Sequence, residues 1–166
     1  MAILAADKAR QVRLAQGNLA FAKVRLAGYT NFGAGTLAHT VYKGSLVVSD
    51  VSDTDGYFRA VPLCSTTNMA SGDIFGGIAA EHQDVTSADT ADGSVECTVH
   101  RNGVWPFAKG SLAITDIGAP AYAVDDDGNP TTTSTNNLWI GYIEDVDDTY
   151  AWINIEPAFM RANSAT

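Results

Sequence analysis

The chain has 166 residues with a formal net charge of -9, 46% hydrophobic residues and only 17% charged ones. That length admits one domain with its own core but not two comfortable ones, and the composition excludes a wholly disordered chain. No apolar run reaches membrane-spanning length, so no membrane partner is expected. The start, "MAILAADKARQVR", has its charges after a very short apolar run, the reverse of a secretory signal, which predicts function without export.

Residues 1–43 carry six basic side chains against the single acid Asp7, a charge of +5, and residues 44–166 carry the compensating -14. This stretch is rich in alanine, lacks a regular apolar stripe, and is interrupted at Gly17 and Asn18 and again by the glycines of "GYTNFGAGTLAHT". The pattern predicts an N-terminal arm and linker over 1–43 ahead of a β-rich domain over 44–166. A basic arm on an acidic body predicts contact with another, acidic surface. Its contact residues are expected to be Leu14, Leu19, Phe21, Val24 and Leu26, with Arg10, Arg13, Lys23 and Arg25 steering and pairing. The charges are too scattered, and the body too acidic, for nucleic acid to be the partner.

From residue 45 onward short apolar runs recur every ten to fifteen residues, separated by turn chemistry, and predict strands over 45–48, 57–63, 73–79, 94–100, 121–124, 138–144 and 150–155. In "SVECTVH" the alternation puts Val95, Cys97 and Val99 on one face and Glu96, Thr98 and His100 on the other, so Cys97 and His100 do not share a metal. Cys64 and Cys97 lie in no CxxC pair and read as small buried hydrophobes. His39 and His82 stand alone in sequence, without metal-ligand spacing. One stretch interrupts the strands: "GSLAITDIGAPAY" predicts a single short helical turn, with Thr115 as its cap, Asp116 in the turn, and Gly118 and Pro120 closing it. The architecture is therefore all-β, a small barrel or sandwich with an extended N-terminal arm.

"AVDDDGNPTTTSTNN" raises the question of calcium. Placing Gly128 at the sixth position of an EF-hand loop puts Asp125 and Asp127 at the third and fifth, but Ala123 at the first and Ser134 at the twelfth, so two ligands are missing. The economical reading is a hairpin turn with positive φ near Gly128 and its carboxylates in water. "EDVDDTY" reads as a second acidic hairpin between the last two strands. In "YAWINIE", Tyr150 and Trp152 fall on the face opposite Ala151, Ile153 and Ile155, either as a self-association surface or as a strand buried on both faces.

No GxSxG elbow, HExxH helix, P-loop or dinucleotide fingerprint is present. Lys109 with Ser111, and the carboxylates of Asp145, Asp147 and Asp148, imitate catalytic dyads but are more economically loop chemistry. No catalytic residue, metal or cofactor is expected.

Three stretches recur in a recognisable order: "DGSVECTVHRNGVWPFA", then "TDIGAPAYAVDDDGNPTTTSTNNLWIGYIEDV", then "YAWINIEPAF". With Asp116, Gly118, Pro120, Tyr122, the turn at 126–128, the threonines Thr131 to Thr133, Asn137, Ile140 and Gly141, they resemble the capsid cement, or head decoration, proteins of tailed bacteriophages over residues 72–159. The resemblance implies a β-tulip or small-barrel body that forms homotrimers at three-fold and quasi-three-fold positions outside the expanded shell. There it would clamp the major capsid protein, as a virion component assembled in the bacterial host cytoplasm. It does not reach residues 1–43 and brings no catalytic residues. A tail or baseplate accessory protein, or a receptor-binding β module, is the alternative with the same composition.

Overall fold

A computed structural model describes residues 4, 6–8, 10, 12–13, 19–32, 39–51, 55–62, 64 and 68–163. Its twelve strands are β1 (Phe21–Arg25), β2 (Thr40–Val41), β3 (Leu46–Ser49), β4 (Phe58–Ala60), β5 (Ile74–Ala79), β6 (Gln83–Asp84), β7 (Glu96–His100), β8 (Val104–Ala108), β9 (Pro120–Ala123), β10 (Pro130–Thr131), β11 (Leu138–Val146) and β12 (Tyr150–Asn154). They form a sheet in the order β1-β7-β5-β3-β4, a second in the order β10-β9-β11-β12-β8, and a small β2-β6 pair. The fold is all-β, with one 3-10 turn at Ile114–Asp116. The two large sheets are not closed into a barrel.

The core between these sheets is filled by Leu46, Val48, Phe75 and Ile78 from the first and by Phe107, Leu138, Ile140, Ile143 and Ile153 from the second. A second apolar cluster covers the opposite face of the first sheet, where Val24, Leu26, Ala27, Phe32 and Val41 pack on Val47, Ala79, Cys97 and Val99. β3 is thus buried on both faces, which is why its sequence is a continuous apolar run rather than an alternation.

This second cluster corrects the expectation of an arm over 1–43. Phe21–Arg25 pairs along its whole length with β7, from Phe21 opposite His100 to Arg25 opposite Glu96. Leu26 then bridges to Phe58, and Val24 and Leu26 are buried. The inner row of β1 holds only Ala22 and Val24, too little apolar signal for a strand to stand out in sequence.

β8 has a different reason for escaping notice: Pro106 sits in its middle. Pro106 is tolerated because β12, where it faces Trp152, is the only named strand beside β8 among the described residues, and the Pro106 nitrogen lies on the side away from β12, where Val104 bridges to Arg13. In the 3-10 turn the cap is Ala113 rather than Thr115, and the Asp116 carboxylate accepts the Ala113 N–H at 2.8 Å. β11 carries a bulge between Trp139 and Gly141, and Gly141 has φ +144 with Asn154 O only 2.0 Å from where a Cβ would stand. Only glycine lets the strands approach so closely there.

Candidate functional site

Three consecutive carboxylates, Asp125 to Asp127, lie in the β9–β10 hairpin, and the fold gives each a different environment. Gly128 supplies the positive φ, +68, as the turn chemistry predicts. Asp125 is fully buried and accepts the Gly128 N–H at 2.9 Å and the Asn129 side-chain amide at 3.2 Å, so it closes the turn on itself. Asp126 is also buried; one oxygen accepts the Leu4 N–H at 2.8 Å and the other the Ser45 hydroxyl at 2.9 Å. Burial pushes the Asp126 carboxyl up to about 6, the charged neighbours Asp125 and Asp127 adding to the rise. Asp127 is partly exposed and binds the Lys8 ammonium and the Arg10 guanidinium. The expectation of carboxylates in water therefore fails for two of the three.

What covers them is the chain's own N-terminal segment. Arg10 is buried, donating to Gly44 O at 3.1 Å, Pro106 O at 3.1 Å and Asp127 O at 2.7 Å, with its guanidinium 4.5 Å from the Phe107 ring centroid. Burial lowers the Arg10 pKa, and the Asp127 and Asp126 charges oppose that shift. Arg13 exchanges both backbone hydrogen bonds with Val104 at the start of β8, at 2.8 and 2.9 Å, and its side chain reaches Asp145 at 2.9 Å. On the flank, Lys8 N–H donates to Lys43 O, and Lys43 N–H returns a bond to the Asp7 carboxylate. Asp7 also meets His82 Nδ1 at 2.9 Å, a hydrogen bond that lifts the His82 pKa above its usual value. The basic segment thus meets an acidic surface, and that surface belongs to its own body.

The expected site residues fall into three groups. Arg10 and Arg13 are engaged in this internal contact, and Leu19 packs against the core between the large sheets. Val24 and Leu26 are buried in the second cluster, so they are not available as surface contacts. Phe21, Lys23 and Arg25 remain exposed on β1, with Phe21 54% exposed and Lys23 paired to Glu96 at 3.1 Å. Leu14 lies outside the described residues.

Tyr150 and Trp152 also separate. Tyr150 is exposed, whereas Trp152 keeps only 8% of its surface. Its indole N–H donates to Asp147 at 2.7 Å, and the Arg13 guanidinium lies over its ring. That hydrogen bond, with the Tyr150 and Thr149 N–H groups, holds the Asp147 carboxyl down at about 2. Sequence reasoning missed further exposed apolar residues of the second sheet and its connections: Ile114 in the 3-10 turn, Ile117 just after it, and Tyr142 on β11 opposite Pro120. Their signal was present, since isoleucines in a turn segment have no core to fill.

Cys64 and Cys97 are free and buried, and burial pushes both thiols up to about 12. Among the described residues no three His, Cys, Asp or Glu side chains converge as a metal site. No family model, curated protein or solved structure matches this chain.

Proposed function

We propose that the protein is a non-catalytic capsid decoration protein, binding the outer surface of an expanded major capsid protein shell as homotrimers and stabilising it. The motif order over residues 72–159 suggests the class. The observation that carries the attachment reading is β1, whose only strand partner among the described residues is β7 until Leu26 and Ala27 reach Phe58 just past its end, and whose exposed row is Phe21, Lys23 and Arg25. An edge strand offers unpaired backbone groups to another chain, an exposed phenylalanine supplies apolar burial, and the cations select an acidic neighbour.

Attachment is therefore assigned to β1 rather than to a free arm. The basic residues further upstream serve to hold the body together. Trimer contacts are drawn from Tyr150, Tyr142, Ile114 and Ile117, the large apolar side chains exposed around the second sheet.

The test is a binding assay on purified expanded shells stripped of decoration. Wild-type protein should saturate them in integral multiples of three per site. The combined variant Phe21→Ser, Lys23→Glu, Arg25→Glu should bind at least about tenfold more weakly, since hot-spot loss typically exceeds 1.4 kcal/mol. Failure of the wild type to bind any such shell removes the reading; equal binding by the variant removes β1 as the attachment strand.

A further inference from the structure

A cleft of about 250 Å³ opens at the seam where β5 and β7 of the first sheet approach β8 of the second. Its apolar wall is Leu19, Ile78 and Trp105, and its polar groups are Lys8, Arg10, Lys43 and His100. Among the described residues no carboxylate lines it, although the chain carries 19 acidic residues against 10 basic ones. On so acidic a protein, a cleft walled only by cations, an imidazole and apolar groups is an exception to the general field.

The cations are not equivalent. Lys8 and Arg10 both lean on Asp127, outside the cleft. Lys43 is exposed, and its ammonium has no ion pair among the described residues. Its charge is felt at Asp7, whose carboxylate accepts the Lys43 N–H and is held down by it, and at His100, whose pKa is lowered by burial first and by Lys43 second. The His100 ring is tilted between Phe21 at 4.8 Å and Trp105 at 4.7 Å, and its Nδ1 is buried with no hydrogen-bond partner among the described residues. That nitrogen has almost no surface open to the cleft, so the imidazole forms an unpartnered polar backing to the wall and reports on what the cleft holds.

We infer that this cleft binds a carboxylate carried on an apolar stem, the head beside Lys43 and His100 and the stem against Trp105, Leu19 and Ile78. A single spare ammonium matches a monoanion. A phosphate dianion would require several converging free donors, and Lys8 and Arg10 are already committed to Asp127. The carboxylate can come from a small free acid or from an acidic side chain of a partner protein. The inference stands on the cleft alone and is independent of shell binding.

The experiment follows the His100 imidazole by NMR in the full chain during titration with hexanoate, hexanol, hexylamine and an end-blocked peptide carrying glutamate between apolar residues. Hexanoate or the peptide should give a saturable shift in the millimolar range and raise the His100 titration midpoint, because the bound anion offsets the Lys43 field. Hexanol and hexylamine should bind several-fold more weakly. Lys43→Gln should weaken the anion at least about fivefold while Lys43→Arg retains it, as a single charge at a partly wet site predicts. Tighter binding of the peptide than of hexanoate assigns the source to a protein side chain, and the reverse assigns it to a free acid. The inference is overturned if neither carboxylate saturates below about 50 mM, a limit near 2 kcal/mol of binding. It is equally overturned if hexanol matches hexanoate or if Lys43→Gln binds the anion unchanged.

Discussion

The Arg13 guanidinium lies 3.4 Å from the centroid of the Trp152 ring, and the same side chain donates to Asp145 at 2.9 Å. One residue near the N-terminus therefore shields the aromatic that would otherwise mark an open surface on β12.

Arg13→Ala should uncover Trp152. A cation over an indole contributes about 1 kcal/mol at a half-exposed site, so a loss of that order in stability is expected. The direct readout is tryptophan emission, which should shift to the red and become more accessible to a neutral quencher. Unchanged emission would mean that the guanidinium does not cover the ring in solution.

Asp126 makes stability depend on pH in an unusual direction for a carboxylate. Its pKa is raised to about 6 in the fold, from a value near 4 in an unfolded chain, so the folded state holds the proton more tightly. Its contribution is fully present below about pH 4 and is lost as pH rises through about 6. Asp126→Asn keeps an acceptor for Leu4 N–H and a polar partner for Ser45 without the charge. It should stabilise the protein by about 2 kcal/mol at pH 8 and by much less at pH 4, as denaturant midpoints at the two pH values would report.

Asp50 and Arg59 form a buried pair at 2.6 Å beneath the second cluster, with Arg59 also donating to Phe32 O. Arg59→Met should cost about 3 to 5 kcal/mol, because it leaves a carboxylate buried without its cation. Adding Asp50→Asn to that variant should recover a good part of the loss. A double variant no more stable than the single would show that the cost is packing rather than charge.

Gly141 and Gly118 separate two ways in which an added methyl can hurt. Both have positive φ, but a Cβ at Gly118 meets nothing within 4 Å, whereas at Gly141 it meets the Asn154 carbonyl. Gly118→Ala should cost about 1 to 2 kcal/mol from the backbone alone. Gly141→Ala should cost about 3 kcal/mol or more, since strand pairing between β11 and β12 must give way. Thermal melting of the two variants side by side measures the difference.

Much of the body was legible in the sequence because its signals are local. The seven apolar runs all became strands, Cys97 and Val99 turned inward while Glu96 turned outward, and Gly128 took the positive φ its turn requires. Alternation and turn preference act over two to four residues, so no partner strand has to be known for them to be read.

The tertiary structure decided the fate of Lys8, Arg10, Arg13 and residues 19–32. Charge segregation announces that a basic segment has an acidic partner, but Coulomb attraction carries no address. Only the folded chain brings Lys8 and Arg10 to Asp127, across more than a hundred residues of sequence. Val24, Leu26 and Phe32 likewise look unpatterned until the outer face of β3, β5 and β7 exists to receive them. A sheet buried on both sides needs a cover, and whether a weakly apolar segment supplies it depends on surfaces assembled from strands distant in the chain.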